Sequence, residues 1–392
     1  MTHTITLPRC IETGAGAIAR LADVLEQFEC MAPCIISDPM MLQLGYVEQV
    51  RAILAKRQMS CGVFTDTEAE PTEASILPAV IQVQRGGYDC LIALGGGSAI
   101  DSAKAIAILA RYGGVMRDYC VPRIVDEPGL PVIAIPTTAG TGSEATRFTV
   151  ITDAGCEQSS DEKLLCVGLG FMPVAAILDY ELTLSAPPRV TADTGIDALT
   201  HAIEAYVSKK ANPYSDIQAL AAIRLIAPNL RQAFNCPADR EARAAMLLGA
   251  HLGGVAFSNA SVALVHGMSR PIGAHFHVPH GLSNAMLLPL VTEFSLPGAP
   301  SRFAQCARAM GVANQEHSDA MANQRLLTEL KSLNRDLKVP SPRAFGIDLQ
   351  RFLALRHTMA EQALASGSPA NNPRIPSATE IAELYEKLCL AD

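Results

Sequence analysis

Several features that assign proteins to particular classes are scarce in this sequence or missing from it. Tryptophan is absent and aromatic residues make up only 5% of the chain, so little surface is offered for stacking on large planar ligands. No run of about 18 apolar residues occurs, which leaves no candidate for a transmembrane helix. The amino-terminal residues show no basic flank followed by an apolar stretch, and we therefore expect no signal peptide.

Positive charge and paired cysteines are also lacking. Lys and Arg number 31 against 39 Asp and Glu, and the net charge is −8. Without a basic tract, this balance argues against nucleic acid and against an anionic membrane as partners. The 11 cysteines are odd in number and form no Cys-x-x-Cys pair, which favours reduced thiols and a cytoplasmic protein.

The chain does contain enough apolar material for two cores. It has 392 residues, of which 49% are hydrophobic and 18% charged, and an ordinary domain takes about 100 to 200 residues. Pro187 and Pro188 mark a change of pattern along the chain. We predict an α/β domain over 1–187 and an all-helical domain over 188–392.

The two parts differ in the spacing of their apolar residues. Short apolar runs alternate with helical stretches in the first part, which is typical of a parallel sheet. The expected strands are 34–37, 90–97, 131–136 and 175–179. In the second part apolar residues recur at helical spacing, as in 216–230, 240–258 and 378–388. The prolines expected to separate the helices are Pro213, Pro237, Pro289, Pro300, Pro340 and Pro376.

A glycine-rich turn follows the expected strand at 90–97, in the run LIALGGGSAIDSAKAIAILA. Backbone N–H groups and the positive end of the next helix face such a turn, which suits a pyrophosphate. Gly96 and Gly97 would let the ligand approach the backbone, and Ser98 would cap the helix or bind a phosphate. Asp101 is expected in the first helical turn. An ordinary tight turn with an ordinary cap is the alternative.

A second polar loop, PTTAGTGSEAT, follows the strand expected at 131–136. Its hydroxyl groups offer uncharged donors to a nucleotide, although a plain solvated loop has the same composition. These hydroxyl residues are Thr137, Thr138, Thr141 and Ser143. Asp38 follows the strand CIIS, where a carboxylate accepts from ribose hydroxyls and repels a 2′-phosphate, so the sequence favours NAD over NADP. We interpret GAGAIA at 14–19 as a turn that opens a helix.

Four of the nine histidines lie between His266 and His280. Upstream, the four-residue spacing of Asp197 and His201 places a carboxylate and an imidazole on one helix face. Pro271, Gly273 and Pro279 separate His266 from His280, so we expect two helices joined by a bend. Three imidazoles and one carboxylate suit Fe(II), Zn(II), Co(II) or Mn(II). A helical histidine is also common in cores without any metal.

The motifs GGGSAIDSAK, PTTAGTGSE, GIDALTHAIEAY, the segment from HGM to PHG, and NNPR at 371–374 together resemble the iron-containing (group III) alcohol dehydrogenases. The resemblance covers nearly the whole chain. It implies the dehydroquinate-synthase-like fold, with a dinucleotide-binding α/β domain and a helical domain for metal and substrate. The implied reaction is reversible hydride transfer between NAD(H) and a small alcohol or aldehyde, with the metal as Lewis acid. A homodimer or larger homo-oligomer is also implied.

The resemblance assigns roles to residues at matching positions. The metal ligands would be Asp197, His201, His266 and His280. The nucleotide would meet Gly96, Gly97, Ser98, Thr137, Thr138 and Ser143, Asp38 at the ribose, and Lys163 and Leu182 elsewhere. Phe257 matches an apolar position near the substrate, although a core phenylalanine fits equally well.

One residue departs from the family pattern. Many members read HGMAHP where this chain has HGMSRP, so Arg270 replaces a histidine one turn after His266. An arginine does not exchange a proton near neutral pH. Two interpretations remain open: Arg270 binds a substrate carboxylate, or it pairs with a nearby acid or helix end. His277 is a candidate proton relay in place of the missing histidine, and a solvated or capping histidine is the alternative.

Three other functions remain open. A dehydroquinate-synthase-like lyase shares the scaffold, but the chain lacks a strongly basic site for a phosphorylated substrate. A maleylacetate reductase also shares it, and Arg270 suits its dicarboxylate substrate. A metal-retaining protein without turnover is the third.

Overall fold

The computed structural model describes residues 2–153 and 162–390. The chain divides into two compact units, of which one is Thr6–Ala186 and the other contains the residues from Pro187 onward together with those that precede Thr6. Ten cysteines are free thiols, and Cys156 lies outside the described residues.

The described residues of the Thr6–Ala186 unit form eight strands. They are β1 (Cys10–Thr13), β2 (Pro33–Ile36), β3 (Gly62–Phe64), β4 (Cys90–Gly95), β5 (Val132–Pro136), β6 (Phe148–Asp153), β7 (Glu162–Val167) and β8 (Ala175–Leu178). Six of them form one sheet in the order β1-β8-β5-β4-β2-β3, and every pairing in it is parallel. The β6 and β7 strands pair antiparallel as a separate ribbon. The predicted parallel sheet is confirmed.

The central strands are apolar on both faces. In β4, Leu91 and Ala93 pack into one buried cluster, whereas Cys90, Ile92 and Leu94 pack into another. A parallel sheet covered by helices on both faces produces such continuous apolar runs, which explains why the four predicted strands were visible in the sequence. The sequence did not predict β1, β3 or the β6–β7 ribbon.

Helices of the same unit connect the parallel strands. They are α1 (Leu21–Gln27), α2 (Pro39–Gln43), α3 (Tyr46–Ala55), α4 (Glu73–Gly86) and α5 (Gly97–Tyr112). The GAGAIA segment turns at Gly16, whose φ of 69° is left-handed, into a short 3-10 helix that leads to α1. This is the predicted helix-opening turn. The α5 helix begins directly after β4, so the glycine turn lies at the carboxyl edge of the sheet, where open α/β folds bind ligands.

From Pro187 onward the described residues form helices and the segments that connect them, with no strand, as predicted. The helices are α6 (Pro188–Val207), α7 (Pro213–Asn235), α8 (Arg240–Ala260), α9 (Leu264–Phe276), α10 (His280–Ser295), α11 (Pro300–Ala309), α12 (Asp319–Asp336), α13 (Pro342–Phe345), α14 (Leu349–Ala365) and α15 (Ala378–Leu390). Of the described helices, none alone is long and apolar enough to cross a membrane. The α8 and α9 pair passes that test together but is bent by 103° at its break.

Proline positions differ in part from the prediction. Pro213 and Pro300 occupy first helical positions, where the missing N–H is not needed. Pro289 lies inside α10 and does not end it. Pro271 lies inside α9, so the bend between His266 and His280 begins later than expected, at the end of that helix. Burial of these helices by their neighbours outweighs the local cost of an interior proline.

Candidate functional site

Four metal-ligand side chains converge in the helical unit. Asp197 and His201 lie one turn apart on α6, His266 lies on α9, and His280 is the first residue of α10. One ligand atom from each residue lies within 4.8 Å of the others. From Asp197 Oδ1, the Nε2 atom of His266 is 3.5 Å away, and those of His201 and His280 are each 3.8 Å away.

The break between α9 and α10 brings His280 to the cluster. His277 ends α9 in the left-handed region, with φ of 53°. On the other side of His280, a Cβ added to Gly281 would lie 2.5 Å from the backbone oxygen of Asp193. Only glycine permits this approach of α10 to α6. The predicted arrangement of two helices and a bend is therefore present, and a glycine that the sequence analysis overlooked makes it possible.

The electrostatics of the cluster favour an anionic carboxylate among imidazoles. Burial alone would raise the pKa of Asp197, but the three surrounding histidines hold this pKa well below its usual range. Burial would also lower the pKa of His266, yet hydrogen bonds to the carboxylates of Asp197 and Glu204 raise it to about 9. A positive charge at this point is thus stabilised by its surroundings.

Glu204 is a functional residue that the sequence analysis missed. Its buried carboxylate accepts from the backbone N–H groups of Ala263, at 2.9 Å, and Val265, at 2.6 Å. It also lies 2.7 Å from Nδ1 of His266, which leaves Nε2 of that ring facing Asp197. A carboxylate on the outer nitrogen fixes a ligand histidine in orientation and tautomer. The signal was available, because Glu204 follows Asp197 by seven residues on the same helix face.

Asn284 is the second missed residue. Its fully buried amide nitrogen donates to Asp197 Oδ1 at 2.6 Å and lies 3.2 Å from Nε2 of both His266 and His280. A carboxylate oxygen only accepts, so the amide nitrogen must face it. One N–H group of the amide is then left for the Nε2 atoms of the two histidines, between which it lies. Asn284 follows His280 by one helical turn, which the sequence analysis did not use.

An aromatic stack covers one side of the cluster. Phe257 on α8 stacks on His201, with ring centroids 4.3 Å apart and planes within 18°. His201 in turn stacks on His266 at 4.5 Å. Phe257 thus contacts a member of the ligand cluster.

Arg270 is half-buried on α9 and donates to Ser368 Oγ at 3.1 Å. No carboxylate among the described residues lies within salt-bridge distance of its guanidinium. Burial lowers the pKa of Arg270, and the charge of Glu204 partly offsets that effect. His277, the proposed relay, is exposed at the end of α9. His275 lies 2.8 Å from the side chain of Gln362.

The donor set fits a divalent cation. Three imidazole nitrogens and one carboxylate oxygen match the ligands of zinc and of the neighbouring transition metals. The Nε2 atoms of His266 and His280 face inward, and the outer nitrogen of His266 is bound to Glu204. All four candidate ligands named from the sequence meet at this point.

In the α/β unit, the two polar loops lie side by side. A Cβ added to Gly97 would lie 2.6 Å from Thr141 Cγ2, and one added to Gly96 would lie 3.5 Å from Thr138 Oγ1. Adjacent pairing of β4 and β5 brings these loops together, as expected. The hydroxyl of Thr137 is buried without a hydrogen-bond partner among the described residues, which is a cost that a bound nucleotide would remove.

Two predicted placements around the glycine turn, a capping Ser98 and Asp101 in the first helical turn, were wrong. Gly96 is the N-cap of α5 and no side chain caps it; the Ser98 hydroxyl instead donates to the backbone oxygen of Ala69 at 2.5 Å. Asp101 is the fifth residue of α5, beyond its first turn. There it accepts from the Ser143 hydroxyl at 2.5 Å and the Val150 N–H at 3.1 Å.

A buried lysine completes this network. Lys104 Nζ donates to Ser143 Oγ at 2.8 Å, Thr146 Oγ1 at 3.0 Å and the Phe148 carbonyl at 2.7 Å. It lies 3.8 Å from Asp101 Oδ1. The hydroxyl of Ser143 therefore donates to a carboxylate and accepts from a cation within the protein.

Three further candidates for cofactor contact each have a hydrogen-bond partner, an ion-pair partner or packing neighbours within the protein. Asp38 caps α2, with Oδ1 accepting from the N–H groups of Met40 and Met41, while Oδ2 faces the glycine turn, 3.2 Å from where a Gly95 Cβ would lie. Lys163 on β7 forms an ion pair with Glu70. Leu182 is buried in the core of the α/β unit.

A parallel α/β unit with a glycine turn and a helical unit with an aspartate and three histidines together define a metal-dependent dehydrogenase. The family model for iron-containing alcohol dehydrogenase matches residues 8–180, and the model for the carboxyl-terminal part of that family matches 191–389. The chain belongs to the iron-containing alcohol dehydrogenase family, has its dehydroquinate-synthase-like fold, and is an alcohol dehydrogenase.

Individual relatives agree with this assignment. A long-chain-alcohol dehydrogenase from Geobacillus thermodenitrificans is 39% identical, over 93% of this chain and 92% of that protein. An NAD-dependent methanol dehydrogenase from Bacillus methanolicus is 33% identical, over 97% and 98%. The crystal structure of a 1,3-propanediol oxidoreductase superposes with a TM-score of 0.94 at 32% identity, over 99% of this chain and 100% of that one.

Proposed function

We propose that the protein transfers hydride between NAD(H) and a small alcohol or aldehyde, with Fe(II) held by Asp197, His201, His266 and His280. The observation that carries this proposal is the convergence of four ligand atoms within 4.8 Å of one another. Other divalent metals suit the same donors, and the family to which the chain belongs favours iron.

Individual residues have different roles in the proposed reaction. When bound, the cation supplies Lewis acidity and the nicotinamide accepts the hydride. Glu204 holds the His266 ring in place, and Phe257 covers the His201 ring and excludes water from its face. Gly96 and Gly97 leave room for a pyrophosphate against the backbone, and the α5 helix end favours its charge.

We propose NAD rather than NADP as the nucleotide. The relative from Bacillus methanolicus is named NAD-dependent. Asp38 supports this choice, because one of its carboxylate oxygens remains directed toward the glycine turn and would repel a 2′-phosphate. We expect Asp38→Gly to raise NADPH use relative to NADH, measured as a ratio of kcat/KM. Glycine replaces an N-cap at a cost of only a few tenths of a kcal/mol, so an unchanged ratio would count against the ribose contact and not against folding.

A second candidate concerns the substrate. Arg270 lies one turn after His266 and, within the described residues, has no carboxylate partner. A half-buried guanidinium with no carboxylate at salt-bridge distance can bind the carboxylate of a substrate, so we propose a carboxylated aldehyde, such as a semialdehyde, beside neutral aldehydes. His277 is the proposed proton relay, since its exposed position at the α9 terminus leaves the ring accessible to solvent.

An activity panel tests the main proposal. NADH absorbance is followed with short alcohols, lactaldehyde, succinic semialdehyde and maleylacetate, using iron-loaded and zinc-loaded protein. We expect turnover with at least one small alcohol or aldehyde. Turnover confined to maleylacetate would identify a maleylacetate reductase. No NADH-linked activity on any carbonyl, despite bound metal, would overturn the proposal in favour of a lyase or a protein without turnover.

The variant Arg270→His tests the substrate class. If the guanidinium binds a carboxylate, the change lowers kcat/KM for succinic semialdehyde relative to a neutral aldehyde of similar length. Ser368→Ala is the matched control, because it removes the hydrogen-bond partner of Arg270 and keeps the cation. An unchanged preference in Arg270→His would show that the arginine is structural.

We further propose that the protein is a cytoplasmic homo-oligomer. We also propose that the boundary between its two domains lies at 187/188. The free thiols of the described cysteines support a reducing compartment. Light scattering after size-exclusion chromatography measures the mass in solution, and a mass equal to one chain of 41.6 kDa would overturn the oligomer.

A further inference from the structure

The three imidazoles of the cluster differ in what lies behind them. His266 has a carboxylate on its outer nitrogen, at 2.7 Å. The outer nitrogen of His280, Nδ1, instead lies 3.3 Å from the hydroxyl of Ser269 on α9. That hydroxyl lies 2.6 Å from the hydroxyl of Ser283, and both serines are buried. No role has been given so far to either serine.

The direction of each hydrogen bond in this group follows from its last member. Ser283 Oγ donates to the backbone carbonyl of His280 at 2.9 Å, and a carbonyl can only accept. Its single proton is then used, so Ser269 must donate to Ser283. Ser269 retains only lone pairs for the imidazole, and His280 Nδ1 must carry the proton that it donates to Ser269. The Nε2 atom of His280 is thereby left without a proton.

The opposite side of the ring is compatible with the same tautomer. Asn284 Nδ2 carries two N–H groups: one donates to Asp197 Oδ1, and the other lies between Nε2 of His266 and Nε2 of His280, 3.2 Å from each. An unprotonated Nε2 on His280 can accept from this group. The serine side of the ring thus specifies Nδ1–H, and the Nε2 left without a proton is the atom that binds a metal in this form.

His280 needs such fixing more than its neighbours do. Its side chain is 44% exposed, compared with 2% for Asp197, 4% for His266 and 6% for His201. It is also the first residue of α10, so no preceding helical turn restrains it. Burial restrains the other three ligands, and Glu204 also holds His266, whereas the more exposed ring of His280 depends more on its hydrogen bonds for its orientation.

We propose that Ser269 and Ser283 are positioning residues for the metal site: together they fix the ring of His280 and its Nδ1–H tautomer, so that Nε2 is presented to the cation. This inference rests on the proposed ligand set. Because a hydroxyl is neutral, it orients the ring without the charge that Glu204 adds behind His266. His280 is then the ligand whose contribution depends most on its neighbours.

The test is the affinity of the full-length protein for Zn²⁺, measured by competition with a chelator. We expect Ser269→Ala to weaken binding about 10-fold, since loss of such a partner costs about 10- to 100-fold and a hydroxyl belongs at the low end. Ser283→Ala frees the Ser269 proton and allows the wrong tautomer, so it also weakens binding. Ser269→Thr keeps the hydroxyl and restores affinity.

Ser295→Ala is the matched control. Ser295 is a buried serine on the same helix α10, and it bonds to Asn372 rather than to the cluster. A second measurement does not depend on metal: the ¹⁵N shifts of the His280 ring in metal-free, histidine-labelled protein. Wild type should show Nδ1–H alone, and Ser269→Ala a mixture of tautomers.

The possible outcomes distinguish the role of the two serines from the identity of the metal ligands. Equal Zn²⁺ affinity in Ser269→Ala and Ser295→Ala, with an unchanged tautomer, would overturn the role of the serines and leave the ligand set intact, provided that His266→Ala loses the metal. Equal affinity in wild type and His266→Ala would overturn the ligand set itself, and the serine role with it.

Discussion

Two clusters of buried charge, one in each unit of the molecule, show what distinguishes a structural network from a binding site. In the α/β unit, Lys104 and Asp101 meet through Ser143, and every donor of the lysine reaches an oxygen of the protein. In the helical unit, one ligand atom of Asp197 and one of each of the three histidines lie within 4.8 Å of one another. The hydrogen-bonding groups of the first cluster have their partners within the protein, whereas the ligand atoms of the second converge on a point where a cation can bind.

The largest expected effect comes from removing a metal ligand, because only the cluster of the helical unit is expected to bind a metal. We expect His266→Ala to lose both bound metal and alcohol dehydrogenase activity, with a drop in metal affinity of more than about 100-fold, the upper figure for a change behind a ligand. Metal content after dialysis and kcat measure this. His275→Ala is the control, because it removes a histidine of the same helix that bonds to Gln362. Full metal retention in His266→Ala would show that the ligand set is wrong.

The reciprocal change acts on the self-satisfied network. Asp101→Asn leaves the Lys104 ammonium without its nearest carboxylate and places an amide N–H group where an acceptor is needed. Breaking a buried pair in this way costs about 3–5 kcal/mol, which urea unfolding measures as a lower free energy of unfolding. Metal affinity should not change. Asp336→Asn, at an exposed ion pair with Arg231, should cost less than about 1 kcal/mol; equal losses in both would remove the distinction.

The same network predicts a pH dependence. Burial lowers the pKa of Lys104 to about 8, although Asp101 and Glu144 oppose the shift. In the unfolded chain this pKa is about 10.4. Between about pH 8 and pH 10.4 the unfolded state therefore binds more protons than the folded state. The free energy of unfolding rises with pH across this range, by up to about 3 kcal/mol. The penalty is fully present below pH 8. Lys104→Met should lack this component, and parallel pH profiles of variant and wild type would contradict it.

The smallest effect concerns the polar loop that follows β5. Because the Thr137 hydroxyl is buried without a partner among the described residues, Thr137→Val should leave the free energy of unfolding unchanged or raise it slightly. If a nucleotide uses the hydroxyl, KM for NAD rises about 3- to 10-fold, the equivalent of one hydrogen bond. Thr149→Val, which removes a donor to the Asp101 carbonyl, should show the opposite pattern. A loss of stability in Thr137→Val would indicate an internal partner instead.

Features that depend on residues close together in the sequence could be predicted from it. Four sheet strands and the helical second unit were predictable, because burial on both faces or on one stripe leaves a direct pattern in the residues. The ligands Asp197 and His201 were visible from helical spacing. By contrast, the edge strand β1 alternates half-buried and exposed residues, and β3 has only three residues, so neither leaves a continuous apolar run in the sequence.

Partners distant in the sequence could not be predicted. The hydroxyl of Ser143 bonds to Asp101, 42 positions away in the sequence, and nothing in either local segment indicates this pairing; its contact with the nucleotide stays a prediction. For Ser98, the capping alternative is wrong, because the backbone oxygen of Ala69 accepts its proton, and the phosphate alternative stays a prediction. Glu204 and Asn284 differ from these cases, because each lies at helical spacing from a named ligand and was within reach of the same argument.

Helix α6 imposes a constraint on how this sequence can vary between relatives. Asp197, His201 and Glu204 occupy positions i, i+4 and i+7, and Asp193, one turn earlier, contacts Gly281 through its backbone. Inserting or deleting one residue within this stretch would rotate one end of the stripe by about 100° relative to the other. The remaining faces of α6 are buried as well, so a gap between Asp193 and Glu204 would disturb both the ligand stripe and the packing of the helix. An alignment of active relatives should therefore contain no insertion or deletion across those twelve positions.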